Sequence, residues 1–191
     1  MWIASVGLVL AGCAHEPTAD IDAANHAFDE ARQAQAAEYA PQAWTAAQDA
    51  QSKLQTELDA QGQRWSPLRS YTVASQLAQL TKTAAERSRD EAAAGKEKAK
   101  TDASTMMAQA RDESARAHAA LSNAPRGKGT EADLVSLKSD ATGIDGTLQE
   151  MQQAFDSGDY VGAKTKAQAA IDAAKTIETQ VQQAKTAKRA A

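Results

Sequence analysis

Residues 131–157 read EADLVSLKSDATGIDGTLQEMQQAFDS, and residues 159–188, beyond Gly158, read DYVGAKTKAQAAIDAAKTIETQVQQAKTAK. In the first stretch Leu134, Leu137, Ala141, Ile144, Leu148, Met151 and Phe155 recur at alternating spacings of 3 and 4. The second repeats the alternation with Tyr160, Ala163, Ala167, Ala170, Ala174, Ile177, Val181 and Ala184. This is the heptad period of a packed helical seam. Between the stripes lies Asp156-Ser157-Gly158-Asp159, with Gly158 suited to end one helix and Asp159 to cap the next. The reading is a tight antiparallel hairpin. One helix offers large side chains and the other mostly alanine, so the two backbones can approach closely.

Working back from this hairpin, an earlier one follows the same plan. Residues 41–62 place Trp44, Ala47, Gln51, Leu54 and Leu58 at heptad spacing, with Pro41 tolerated in a first helical turn. After a turn at 62–67, Tyr71, Ala74, Ala78, Thr81 and Ala85 continue on the next helix. Trp44, Leu54, Leu58 and Trp65 fall on Leu134, Ile144, Leu148 and Phe155 at a constant offset of 90. Tyr71, Ala74, Ala78, Ala84 and Ala85 fall on Tyr160, Ala163, Ala167, Ala173 and Ala174 at an offset of 89. Duplication of residues 41–95 in the second half is expected.

A further helix, about Asp20 to Glu38 with Asp20 as its cap, offers Ile21, Ala24, Phe28 and Ala31 to the first hairpin. From Pro67 no proline intervenes before Pro125, so one very long central helix is expected to link the hairpins. Gly95 is its weak point, costing about 1 kcal/mol against alanine. The expected fold class is all-α: an elongated set of antiparallel helical hairpins with Ala-rich, coiled-coil-like seams and about five helices. The expected divisions are 1–12, 13–19, a three-helix region 20–95, and a C-terminal helical region 96–191.

The segments 1–12 and 13–19 set the address. Leu10-Ala11-Gly12-Cys13 ends an apolar run from Trp2 and contains the chain's one cysteine. It resembles the lipobox of a bacterial lipoprotein precursor. The run is shorter than the roughly 20 apolar residues of a spanning helix and fits the apolar region of a secretory signal. Small residues at Ala11 and Gly12 admit a signal peptidase, and the Cys13 thiol takes a diacylglycerol in thioether linkage. Residues 1–12 are therefore expected to be a signal peptide and 13–19 a lipidated tether. Because no Lys or Arg precedes Leu10, Met1 is expected to be an internal start. Ala14 stands where an aspartate would retain the protein at the inner membrane, so the resemblance implies the outer membrane, the body facing the periplasm. Two or three acyl chains give stable anchoring, and no second thiol is present for a disulfide.

Composition agrees with a helical class. The 191 residues are rich in alanine, only 4% are aromatic, and the formal charge is −4. Helix propensity is high, strand formers are scarce, and no basic face suits nucleic acid.

Ala31, Ala34, Tyr39, Ala40-Pro41, Trp44, Ala47, Leu54, Tyr71, Ala74 and Ala78 together resemble a bacterial family of secreted and lipid-anchored helical proteins, the domain of unknown function 4398 family. The resemblance covers about residues 20–95. Trp65-Ser66-Pro67 departs from that family's Gly-Asp-Tyr type of turn, whereas Gly158-Asp159-Tyr160 is closer to it. It implies a helical envelope protein and supplies no chemistry.

Chemistry-bearing motifs are absent from the sequence. His15, His26 and His118 are far apart and outside any zinc-binding pattern, and no free cysteine remains beside them. Gly127-Lys128-Gly129-Thr130 lacks the spacing and the preceding strand of a phosphate loop. No serine stands three residues before a lysine, which excludes the penicillin-recognising nucleophile motif. Asp29-Glu30 and Asp112-Glu113 read as helix surface, and Met106-Met107 as gap-filling core. No catalytic residue, metal or cofactor is expected. Tyr39, Trp44, Trp65 and Tyr71 are expected to gather around one end of the first hairpin, either as plugs at the widening ends of an alanine seam or as a stacking platform for glycan. The expected partners are the membrane through the lipid, envelope proteins or a second copy through helix faces, and peptidoglycan if the aromatic platform forms. The expected role is a non-catalytic, lipid-anchored scaffold or spacer.

Overall fold

The computed structural model describes residues 15–125 and 131–190, excepting the side chains of 131–133 and 188–190. Among these residues the protein is all-α, without a strand. Six α-helices follow in order: α1 Thr18–Gln33, α2 Ala36–Tyr39, α3 Pro41–Gly62, α4 Thr72–Ser122, α5 Glu131–Asp156 and α6 Tyr160–Ala190. A 3-10 turn, Ser66–Leu68, lies between α3 and α4. The fold divides between Gly95 and Lys96 into two compact units, α4 supplying its first half to one and its second half to the other.

The first unit packs α1, α2, α3 and the first half of α4. Its core runs in three layers. Ala24, Leu54, Ala74 and Ala78 pack with Ile21, Leu58 and Tyr71. Next come Ala27, Phe28, Ala47 and Ala85 with Trp44, and then Ala31, Ala36, Ala40, Ala43 and Ala92 with Tyr39. The second unit packs the second half of α4 with α5 and α6. Met107, Leu121, Leu137, Ile144, Met151, Ile171, Ile177 and Val181 are set among buried alanines. Burying each of these larger side chains contributes about 1.5–3 kcal/mol. The alanines contribute mainly by letting helix axes approach toward the short end of the usual 8–10 Å range.

The hairpins share their seam position by position. Ala74, Ala78, Thr81, Ala85, Ser88 and Ala92 are buried in α4, and so are Ala163, Ala167, Ala170, Ala174, Ile177 and Val181 at an offset of 89 in α6. Ala47, Leu54 and Gln61 in α3 match buried Leu137, Ile144 and Met151 in α5 at an offset of 90. The first unit is the more polar version. Thr81 and Ser88 satisfy their hydroxyls on the Leu77 and Ala85 carbonyls of their own helix.

The α5–α6 turn follows the sequence closely. Gly158 has φ +85°, where glycine carries no Cβ penalty. Its N–H donates to Phe155 O and that of Asp159 to Ala154 O, the paired bonds of a Schellman ending. Asp159 Oδ1 then accepts from Gly162 N at 2.7 Å, capping α6.

The N-terminal helix differs from expectation in two ways. It begins at Thr18, so Asp20 sits inside the first turn, where its Oδ2 accepts the Ser75 hydroxyl at 2.6 Å. It also breaks before Glu38. Gln35 takes φ +59° and the chain restarts as α2, burying Ala36 and Ala40 against Ala92. The fourth helix starts at Thr72 and not at Pro67, because Ser66–Leu68 close a 3-10 turn.

Gly95 does not interrupt α4. A Cβ at that position would lie 2.2 Å from the Tyr39 carbonyl oxygen. The residue that costs helix propensity is the one that lets the backbone of α4 meet the α2–α3 junction.

Candidate functional site

The segment expected to carry lipid, Leu10, Ala11, Gly12 and Cys13, lies outside the described residues, as does Gly127-Lys128-Gly129-Thr130. The described chain enters at His15 and reaches α1 at Thr18. The first turn of α1 is tied to the first turn of α4 by the Asp20–Ser75 hydrogen bond, and Ile21, Leu58 and Tyr71 all pack against the same core layer.

The four aromatic candidates do not form one cluster. Tyr39 and Trp44 stand at the start of α3, Trp44 packing on Phe28 with ring centroids 4.6 Å apart. Trp65 and Tyr71 lie past the other end of α3, and 18 residues of helix separate Trp44 from Gly62, about 27 Å at the helical rise. Tyr71 packs against the core with Ile21 and Leu58. Trp65 is 74% exposed and plugs nothing, although Phe155 at the matching position packs edge-on against Tyr160 at 5.2 Å. The cause is local. Trp65 is extended, with ψ 133°, ahead of the Ser66–Leu68 3-10 turn, and α3 ends at Gly62 while α5 persists to Asp156.

The resulting loop is held in place. Arg69 donates from Nε to Arg64 O and from Nη2 to Gly62 O, each at 3.0 Å, satisfying carbonyls at the end of α3. Buried Gln61 accepts the Ser70 N–H at 3.0 Å and donates to Glu57 Oε1 at 2.7 Å. Trp65 and Leu68, 67% exposed, are left facing out of this fixed turn. Leu68 drew no notice in sequence. Pro67 beside two large apolar residues was the available signal.

Charged groups link helices across exposed faces. Arg89 Nη1 donates to Glu30 Oε2 at 2.7 Å and Nη2 meets Asp90 Oδ1 at 2.9 Å, and these bonds, that to Asp90 foremost, raise the Arg89 pKa. Lys98 donates to Asp102 at 2.7 Å, with Lys164 at 3.9 Å from the same oxygen, and the Lys98 bond lowers the Asp102 pKa. Lys166 does the same to Glu150 from 2.6 Å. His118 on α4 meets Asp145 on α5 at 3.0 Å, and His26 lies 3.4 Å from Glu30 on its own helix. Among the described residues no group of three or more His, Cys, Asp or Glu side chains could hold a metal, and no helix is long and apolar enough to cross a membrane. An open cleft of about 480 Å³ between the start of α5 and the end of α6 is lined by Ala124, Pro125, Leu134, Leu137, Val181 and Ala184, with Ser136, Gln180, Gln183 and Ala187. None of the described side chains in that lining is a titratable group.

The fold defines an all-α protein of helical-bundle units. No protein-family model matches the chain, and no curated protein or solved structure is found similar to it.

Proposed function

We propose that the protein is a non-catalytic, lipid-anchored scaffold or spacer of the bacterial envelope, tethered through Cys13 and meeting envelope proteins or a second copy through helix faces. The observation that carries this reading is the Leu10-Ala11-Gly12-Cys13 run behind an apolar leader, followed within a few residues by helix. Val73 and Leu80 lend support: they are exposed one heptad apart on the outer side of α4, with half-buried Leu77 between them, as a seam for another helix would require. The aromatics of the glycan-binding alternative sit toward opposite ends of α3, which favours the scaffold reading over it. Palmitate labelling in the bacterial host is expected to mark the wild-type chain in the membrane fraction and to leave Cys13→Ala unlabelled. An unlabelled wild-type chain recovered from the cytosol would refute the reading.

A further inference from the structure

The loop between α3 and α4 holds two large apolar side chains in water at a fixed place. Trp65 and Leu68 are 74% and 67% exposed, although Arg69 and Gln61 pin the backbone around them. Disorder therefore does not account for the exposure. The equivalent turn in the second unit turns its aromatics onto each other.

Charge and position indicate what covers the exposed pair. Residues 60–71 contain Arg64 and Arg69 and no acidic residue. The nearest carboxylates along the chain, Glu57 and Asp59, accept hydrogen bonds from Gln61 and Gln55. The turn also lies at the end of the first unit that holds the first turn of α1, since Asp20 accepts the Ser75 hydroxyl and Ile21 shares a core layer with Leu58 and Tyr71. Four residues separate Cys13 from Thr18, and the five steps between them reach at most about 18 Å in extended chain. A lipid on Cys13 would thus hold this end of the unit close to the bilayer.

We propose that the Trp65–Leu68 turn is a second membrane contact that seats in the headgroup region of an anionic phospholipid bilayer. The proposal rests on the lipid-anchor reading. Tryptophan favours the boundary between headgroups and acyl chains, and arginine beside it gains from anionic lipid. Two side chains fall far short of the roughly 800 Å² per partner of a stable protein interface. A lipid surface needs no such area when an acyl anchor already supplies residence.

Fluorescence tests the contact separately from the anchor. The full chain, purified from host membranes, is reconstituted into vesicles of phosphatidylethanolamine and phosphatidylglycerol with brominated acyl chains. Subtracting the spectrum of Trp65→Phe isolates the Trp65 signal. The expected result is emission shifted to shorter wavelength and quenched several-fold, less so in phosphatidylcholine vesicles. Membrane-bound protein with unquenched Trp65 overturns the contact and leaves the anchor standing. A chain with no lipid on Cys13 whose Trp65 is still quenched overturns the anchor and keeps the contact. Neither labelling nor quenching overturns both. Shielding of Trp65 in whole envelopes by a cross-linked protein, without quenching by brominated lipid, also overturns the contact.

Discussion

Gly95→Ala separates helix propensity from packing, because the two predict opposite signs. In an exposed helix the change gains about 1 kcal/mol. Here the new methyl would stand 2.2 Å from Tyr39 O, 3.1 Å from Tyr39 C and 3.3 Å from Tyr39 Cβ. Relief to an ordinary carbon–oxygen contact requires about 1 Å of separation. The obstructing atom is backbone, so no side-chain rotation can supply it. Moving α4 away would open the layer in which Ala92 packs on Ala31, Ala36, Ala40 and Ala43. Overpacking of this kind costs about 1–3 kcal/mol, and a rigid obstacle places it in the upper part of that range. The net expectation is a loss of about 1–2 kcal/mol after the propensity gain is credited. Gly143 and Gly146 provide the internal control: both lie in α5, and an added Cβ meets nothing within 4 Å. Each alanine substitution there is expected to gain up to about 1 kcal/mol. Urea unfolding followed by far-UV circular dichroism should move Gly95→Ala to lower denaturant and the two controls to higher. A rise for Gly95→Ala equal to the controls would refute the close-approach argument.

Other expectations concern the seam and the charge pairs. Met151→Ala removes a fully buried side chain and should cost about 2–5 kcal/mol in the same assay. Gln61→Leu makes the matching position more apolar, yet should cost about 1–3 kcal/mol because the Ser70 N–H loses its acceptor. Asp102 and Glu150 have folded pKa values lowered by Lys98 and Lys166, so their contribution is present above the unfolded carboxylate pKa and is lost as pH falls through the folded one. A Lys166→Gln variant should therefore titrate Glu150 at higher pH by NMR, with little change in stability at neutral pH because the pair is solvent-screened. An unmoved Glu150 titration would show that the pair does not persist in solution.

Much of this fold was legible because heptad spacing survives in alanine-rich sequence. The 131–188 hairpin and its Gly158-Asp159 turn followed from apolar period and cap chemistry, which are local. What escaped depended on neighbours distant in sequence. Ala34-Gln35-Ala36 carries no glycine or proline, yet Gln35 enters the left-handed region where the chain turns from α1 toward α3. Gly95 showed its propensity cost but not the Tyr39 carbonyl that requires it. At the site, constant offset placed Trp65 on Phe155 and implied the same burial. That inference fails because α3 ends a turn earlier than α5 and the chain passes through an extended Trp65 into a 3-10 turn.

The two seams show why one turn can be spared from the core. An alanine seam yields little apolar burial per residue, so each unit depends on a few large side chains. In the second unit these include Met151, Ile177 and Val181, and the turn adds Phe155 on Tyr160. The first unit has Gln61, Ser88 and Ala92 at the positions matching those three core residues. It makes up large-residue packing elsewhere, in the Phe28–Trp44 pair and in Leu54 with Leu58 and Tyr71. Its turn is then held by polar bonds from Arg69 and Gln61, which do not depend on burying Trp65. A turn whose geometry is independent of its apolar side chains can present them outward without loss of the fold. That independence has a direct consequence: Trp65→Phe should leave unfolding unchanged while altering what the protein touches, whereas Phe155→Ala should do the reverse.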